Sequence, residues 1–368
     1  MVRGACEPKV EYVAINGKLY VDDTITRAKI LYAMRLFRDA VKLAHHLIRE
    51  GYEWNEISRR LTRYISNAHY GHSAYQRAKL WREQSYLKLR KRFLFSVGKK
   101  HEKGNRNMRF VEKDGGLWLK VKIPHADGKH EWVEAPVKFG KRYLPIIAHL
   151  MNGGEISYGV EISENFKVHV YVPFWLYKQH LGREHNGGKH IASFDLNSDR
   201  INMVIVNQNG EILDVKNEHF HEVSMHGYAQ NRAKNLRLQA LARLLDYAWH
   251  HGVSIVLYEN LPLINSRRCN SSKRGNRKIS RFAKRELIDY GVSMALRRGF
   301  RVYLVNPAYT TRKAKEIYSQ LGLDVHTVSA YMLALRYLGL LGTMNDAETR
   351  PWSPPMKSCV KRAGESRR

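Results

Sequence analysis

The sequence contains few cysteines and no cysteine pair. Only three occur in 368 residues, Cys6, Cys269 and Cys359, and they are far apart. Such spacing supports neither a disulfide framework nor a Cys-based zinc site. Among the 18 histidines, the groups His45-His46, His250-His251 and His219-Phe220-His221 could suggest a metal site, but we expect ordinary surface or phosphate-facing roles for them. The cysteine usage is typical of a protein from the reducing interior of the cell.

Long hydrophobic runs are also absent. No segment approaches the roughly 18 consecutive apolar residues of a membrane-spanning helix. The first eight residues, Met-Val-Arg-Gly-Ala-Cys-Glu-Pro, contain no apolar core of the kind found in signal peptides. We therefore expect neither a membrane nor a secretory role.

Acidic residues are scarce relative to basic ones. Asp and Glu number 34 against 63 Lys and Arg, which gives a net charge of +29. An excess of this size favours a polyanionic partner, and nucleic acid remains once membranes are set aside. Hydrophobic residues still make up 43% of the chain, so it can build cores, and its length predicts two or three domains. We expect an intracellular protein that binds nucleic acid.

The N-terminal half combines short strand patterns with a helical block. Residues 10–21 read as two strands around Asn16-Gly17, a dipeptide typical of hairpin turns. Apolar residues at helical spacing fill most of residues 24–86, and alternating patterns return over residues 108–177. The predicted domains are a small β-barrel from residues 1–24 and 92–178 and a helical domain inserted at 25–91.

The C-terminal half shows a different order of elements. Three strand patterns are followed by helix, strand, helix, strand and helix, which is the order of an RNase H-like α/β domain over residues 188–342. The basic tail at residues 343–368 is expected to be disordered.

Three acidic residues stand out by position in this domain. Asp195 lies inside an apolar strand, Glu259 ends the next long apolar strand, and Asp324 precedes the last helix. Each has an ordinary structural explanation: a buried acid bonded to backbone amides, a solvated strand end and a helix N-cap. Their joint placement at one sheet edge instead favours divalent cations between repelling carboxylates, and hydrolysis of a phosphodiester by two metals.

Four segments carry a family resemblance. They resemble the successive RuvC motifs of TnpB proteins, also called insertion-sequence OrfB, which are similar to type V CRISPR effectors. The segments are Ser193-Phe194-Asp195-Leu196-Asn197, Tyr258-Glu259-Asn260-Leu261, Val305-Asn306-Pro307-Ala308-Tyr309-Thr310-Thr311 and Asp324-Val325-His326-Thr327-Val328-Ser329-Ala330.

The resemblance implies an RNA-guided, Mg²⁺-dependent endonuclease that cuts double-stranded DNA, encoded by a transposon and guided by an RNA from its end. It also implies a prokaryotic cytoplasmic protein that associates with the nucleoid. Asp195, Glu259 and Asp324 would be both catalytic residues and metal ligands, with Mn²⁺ as an alternative ion. It also implies that the barrel is a wedge domain and that residues 25–91 form a recognition domain. Residues 312–323 lack the four-Cys insertion of many family members, so zinc is not expected.

A basic segment follows Glu259. Residues 266–285 contain nine Lys or Arg and no acid. A solvated loop is one interpretation, and the other is a surface that directs a single nucleic-acid strand toward the metals. Nine phosphate contacts would give a slope of log affinity against log salt concentration of at most about −6 to −8. The predicted nucleic-acid contacts are Arg267, Arg268, Lys273, Arg274, Arg277, Lys278 and Arg281.

Two other functions remain open. One is a nuclease-silent nucleic-acid-binding protein that regulates the transposon, and the other is a nuclease that acts on DNA junctions without a guide. Co-purifying RNA separates the guide-free enzyme from the guided one, and cleavage separates the silent regulator from both.

Overall fold

The computed structural model divides the chain into two compact units. Residues 10–181 form the N-terminal unit, and residues 1–9 with 182–368 form the C-terminal unit. No helix among the described residues is long and apolar enough to cross a membrane. The structure describes residues 5–152, 156–185, 187–225, 227–260, 284–308, 310, 314 and 320–341.

The described residues contain strands and helices in the following chain order. The strands are β1 (Ala5–Cys6), β2 (Tyr12–Leu19), β3 (Phe93–Ser96), β4 (Met108–Lys113), β5 (Gly116–Pro124), β6 (His130–Phe139), β7 (Gly159–Ser163), β8 (Lys167–Pro173), β9 (His190–Leu196), β10 (Arg200–Val206), β11 (Ile212–His219), β12 (Val253–Glu259) and β13 (Arg301–Val305). The α-helices are α1 (Thr24–Arg49), α2 (Trp54–Ile65), α3 (Ala68–Lys79), α4 (Leu144–Asn152), α5 (Phe174–Leu181), α6 (Gln230–His250), α7 (Lys284–Arg297) and α8 (Val325–Leu338).

The N-terminal unit is built on a seven-stranded sheet in the order β3-β7-β8-β2-β6-β5-β4, with antiparallel neighbours throughout. Helix α1 packs on α2, α3 and β3. Its Phe37 ring meets Tyr70 and Phe93 edge-on, with centroids 6.1 and 5.5 Å away. A β-rich region with an inserted helical block is therefore present, while closure of the sheet into a barrel stays a prediction.

The hairpin predicted at Asn16-Gly17 is wrong. Strand β2 runs straight through both residues and pairs with β8 on one side and β6 on the other. A Cβ atom at Gly17 would lie 2.6 Å from the Phe139 ring. The glycine is needed because a neighbouring side chain approaches the backbone closely, not because the chain turns.

The C-terminal unit contains a six-stranded mixed sheet in the order β1-β13-β12-β9-β10-β11. Strands β9, β10 and β11 are antiparallel neighbours, whereas β9, β12 and β13 run parallel. The RNase H-like order of elements predicted from the sequence is confirmed. The third strand pattern, predicted at residues 211–214, extends to His219 in β11.

Strand β1 is the part of the sheet that the sequence did not predict. Residues 5–6, assigned above to the N-terminal barrel, instead pair with Leu304 and Val305 of β13. A two-residue strand has no periodicity to read, so only its ladder reveals it.

Helix α8 covers one part of this sheet. It packs against β9, β10 and β12, and the residues from Thr327 to Leu335 are all buried. This packing brings the first turn of α8 to the strands that carry Asp195 and its neighbours.

Candidate active site

Two of the predicted acids lie at the ends of adjacent parallel strands. In the β9–β12 ladder Leu257 is opposite Ser193, so Glu259, two residues further on, reaches the level of Asp195 on the same face. Asp195 is 5% exposed and Glu259 9% exposed. Carboxylates withdrawn this far from water require a hydrogen bond or a cation nearby.

The third acid, Asp324, is the N-cap of α8. One of its carboxylate oxygens accepts from the backbone N–H of His326 at 3.0 Å and of Thr327 at 3.2 Å, and the Thr327 hydroxyl donates to the other. Asn202 also donates to that second oxygen at 3.4 Å. Asp324 is therefore a true N-cap, and its exposed carboxylate accepts four hydrogen bonds, one of them from Asn202 on β10.

His326 connects Asp195 with the start of α8. Its Nδ1 lies 3.1 Å from Oδ2 of Asp195, and Asn197 donates to the same oxygen at 2.8 Å. The hydrogen bond to Asp195 raises the pKa of His326, helped by the charges of Asp195 and Asp324, while burial and Arg200 act in the opposite direction. Asp195 and Asp324 thus belong to one polar cluster.

Two asparagines in this cluster were missed by sequence reasoning. Asn202 on β10 is the cross-strand partner of Asp195, and its Nδ2 donates to the Thr327 hydroxyl at 2.9 Å. Asn217 on β11 donates to the same hydroxyl at 3.1 Å. Both amide Oδ1 atoms are buried, and neither accepts a hydrogen bond from the described residues. A lone amide in the apolar run Ile-Asn-Met of β10 was the available signal.

The donor atoms of this edge suit a hard divalent cation. Carboxylate and amide oxygens are the ligands that Mg²⁺ prefers, and a buried amide oxygen without a donor is compatible with a nearby cation. Among the described residues, however, no three His, Cys, Asp or Glu side chains are close enough together to hold a metal ion. The structure joins Asp195 to Asp324 through His326 and places Glu259 on the neighbouring strand.

The remaining predicted site residues cannot be placed. Arg267, Arg268, Lys273, Arg274, Arg277, Lys278 and Arg281 all lie outside the described residues.

The C-terminal unit is thus defined as an RNase H-like α/β domain with acidic and amide side chains gathered at one end of two parallel strands. The chain is 35% identical over 350 residues to SSO2105 of Saccharolobus solfataricus, an alignment that covers 90% of this chain and 93% of that protein. The model of the SSO2105 N-terminal domain matches residues 12–182. The chain belongs to the SSO2105 family.

Other comparisons cover less of the chain or lie at lower similarity. A protein of Aeropyrum pernix is 30% identical over 180 residues, which is 46% of this chain and 48% of that protein. In a cryo-EM structure of a Cas12f1-sgRNA-target DNA complex, the matching protein has a TM-score of 0.47 and 11% identity, covering 85% of this chain and 82% of that one. T. thermophilus RuvC bound to a Holliday junction has a TM-score of 0.29 and 15% identity, covering 42% and 96%.

Proposed function

We propose that the protein is a divalent-metal-dependent nuclease whose active site contains Asp195, Glu259 and Asp324. The observation that carries this proposal is the contact of His326 with Asp195, which joins the capping acid of α8 to the acid of β9. Glu259, at the same level of the adjacent parallel strand, supplies the third carboxylate. Both Asp195 and Glu259 are almost fully buried, so their charges favour a bound cation.

In this proposal the chain's own residues position one another. Asn197 and His326 hold Oδ2 of Asp195, and the backbone amides of α8 hold Asp324. Asn202 donates to Asp324 and to Thr327 from strand β10. Bound Mg²⁺ would supply an activated water and stabilise the leaving oxygen of a phosphodiester.

The finer proposal is an RNA-guided DNA endonuclease of the TnpB type, encoded by a transposon. It is supported by the four motif segments around Asp195, Glu259, Asn306 and Asp324 and by the charge of +29. An RNA from the transposon end would read the target by base pairing, while the basic protein surface would hold the backbone of double-stranded target DNA.

The test is to purify the protein from cells that express it with its flanking DNA, sequence any bound RNA, and measure Mg²⁺-dependent cleavage of a matching DNA. We expect RNA from the element's end and cleavage that Asp195→Ala removes. Asp22→Ala is the matched control, because Asp22 is an exposed acid of the N-terminal unit.

Three other outcomes separate the alternatives. Bound RNA without cleavage would identify a nuclease-silent regulator, and cleavage without RNA would identify a guide-free nuclease. If Asp195→Ala lowered RNA binding as much as cleavage, Asp195 would have a structural role, and the proposed metal site would be incorrect.

A further inference from the structure

The N-terminal unit contains a cavity of about 450 Å³ beside the segment that follows α3. Its lining comes from α3, from residues 81–91 and from strands β3, β7 and β8. The residues that matter are Arg77, Trp81, Lys88, Arg90, Lys91 and Tyr171. Cations and aromatic rings therefore share one concave surface.

The inner part of the cavity contains a guanidinium group whose charge is neutralised by a carboxylate. The Arg77 guanidinium lies 4.2 Å from the centroid of the Phe95 ring and 5.6 Å from that of Tyr171. Its Nη2 donates to Glu161 and, at 3.1 Å, to the Tyr171 hydroxyl. Because Glu161 neutralises it, Arg77 presents a planar surface to a ligand rather than an unpaired charge.

The wall formed by Trp81 is held in place. The carbonyl oxygen of Trp81 lies 3.0 Å from Nε2 of His45, and Arg49 donates to the carbonyl oxygen of Ser85. Both His45 and Arg49 belong to α1, so the segment after α3 is tied to the longest helix of the unit. A largely preformed wall reduces the entropy lost when a ligand binds.

The rim of the cavity has an excess of positive charge. Lys88, Arg90 and Lys91 are exposed, and among the described residues no carboxylate oxygen lies within 4 Å of their charged groups. Glu164 lies 2.5 Å from Nη2 of the next residue, Arg92, and also interacts electrostatically with Lys91. One carboxylate near Arg92 and Lys91 leaves the rim with a net positive charge, which favours an anionic ligand.

We propose that this cavity binds one unstacked nucleotide of a single-stranded nucleic acid. The base would stack on Trp81 and the Arg77–Tyr171 surface, and the flanking phosphates would contact Lys88, Arg90 and Lys91. The volume falls within the roughly 300–1,000 Å³ of small-ligand sites, enough for one nucleotide. The inference rests on the proposed function only in taking nucleic acid as the ligand.

The test measures binding in the absence of cleavage. The full-length Asp195→Ala protein is titrated, without divalent metal, into fluorescently labelled 20-nucleotide RNA and DNA of one sequence, and anisotropy is followed at several salt concentrations. The test variants are Trp81→Ala, Trp81→Phe and the triple variant Lys88→Glu/Arg90→Glu/Lys91→Glu. The matched control is Arg35→Glu/Arg63→Glu/Lys141→Glu, which changes the net charge equally at other exposed positions of the same unit.

We expect Trp81→Ala to weaken binding about 5- to 100-fold and Trp81→Phe to retain most of the affinity, because a stacked ring is what the base requires. The rim variant should weaken binding more than its control and reduce the salt slope by about 2, the equivalent of three phosphate contacts. Losses with RNA alone would identify an RNA strand as the ligand, and equal losses with DNA would identify any single strand.

The proposal is overturned if the rim variant, folded as judged by circular dichroism, binds both strands no more weakly than its charge-matched control. Because Asp195→Ala is the background and no metal is present, this result is independent of cleavage. A protein that binds through the cavity and yet never cuts would refute the nuclease proposal alone.

Discussion

Two helix N-termini of this protein share the same cap and differ in what surrounds it. Helix α1 begins after Asp23 and α8 begins after Asp324, and each aspartate is followed three residues later by a threonine. Asp23 accepts from the backbone N–H of Ile25 at 3.2 Å and of Thr26 at 2.6 Å, in the same pattern as Asp324. Each aspartate therefore satisfies backbone N–H groups in the first turn of its helix in the same way.

The two N-termini differ in the burial of the threonine three residues after the cap and in the contacts that neighbouring strands make with it. Thr26 is half-buried, whereas Thr327 is fully buried and receives hydrogen bonds from Asn202 and Asn217. In α8 the residue two after the cap is His326, which contacts Asp195. The comparison teaches that an N-cap becomes a candidate active-site residue through its tertiary neighbours, which its own sequence does not reveal.

The largest expected difference concerns the caps themselves. Asparagine caps a helix about as well as aspartate, so Asp324→Asn and Asp23→Asn should both leave stability near wild type. If Asp324 is a metal ligand as proposed, Asp324→Asn removes a ligand charge and should lower Mg²⁺-dependent cleavage at least about 100-fold, while Asp23→Asn leaves cleavage unchanged. Cleavage rates and thermal melts of both variants check this. Equal cleavage rates for Asp324→Asn and Asp23→Asn would show that Asp324 acts only as a helix cap.

A smaller effect is expected at the residue two positions after the cap. His326→Ala removes the contact with Asp195 and should lower cleavage about 10- to 100-fold, the usual effect of losing a group that orients a metal ligand. Ile25→Ala at the corresponding position of α1 is the control, since Ile25 is 64% exposed. Rates measured at saturating Mg²⁺ would show whether His326 matters beyond metal affinity, and an unchanged rate would assign it to packing.

The threonines should differ in stability. Thr327→Val removes the hydroxyl that accepts from Asn202 and Asn217 and leaves Asn202 with its 3.4 Å hydrogen bond to Asp324. This loss should lower the free energy of unfolding by about 1–3 kcal/mol. Thr26→Val should change it by no more than about 0.5 kcal/mol. Urea unfolding of the two variants measures the difference, and similar values would mean that the Asn–Thr network contributes little.

The smallest effect is the pH dependence of the α1 cap. The hydrogen bond from the Thr26 side chain, followed by those from the Thr26 and Ile25 backbone, lowers the pKa of Asp23. Because the folded pKa is depressed, the stabilisation is present above the unfolded value of about 3.9 and is lost as pH falls through the folded pKa. The melting temperature of wild type should therefore fall relative to that of Asp23→Asn as pH decreases below the unfolded value of about 3.9. A difference that did not change over this range would show that the Asp23 cap does not contribute to the pH dependence of stability.

Much of the C-terminal unit could be predicted because its signals are local. Apolar runs define β9, β10, β12 and β13 at their observed bounds, and capping chemistry defines the start of α8. In the N-terminal unit the hairpin prediction failed at Asn16-Gly17, because this turn-forming dipeptide lies inside a strand that is paired on both sides. Turn propensity is weak there relative to two ladders of hydrogen bonds and the close packing of Phe139 on Gly17.

By itself, the sequence determined the basic charge, the order of the strands and helices from β9 onward, and the presence of Asp195, Glu259 and Asp324 at or near element ends. These follow from composition and from periodicities of two and 3.6 residues, which need no distant partner. Only the tertiary structure decided that His326 meets Asp195, that Asn202 and Asn217 share Thr327, and that Arg77 is neutralised by Glu161 beneath a basic rim. Each of these contacts joins residues from different elements, and its existence depends on register and packing rather than on any local pattern.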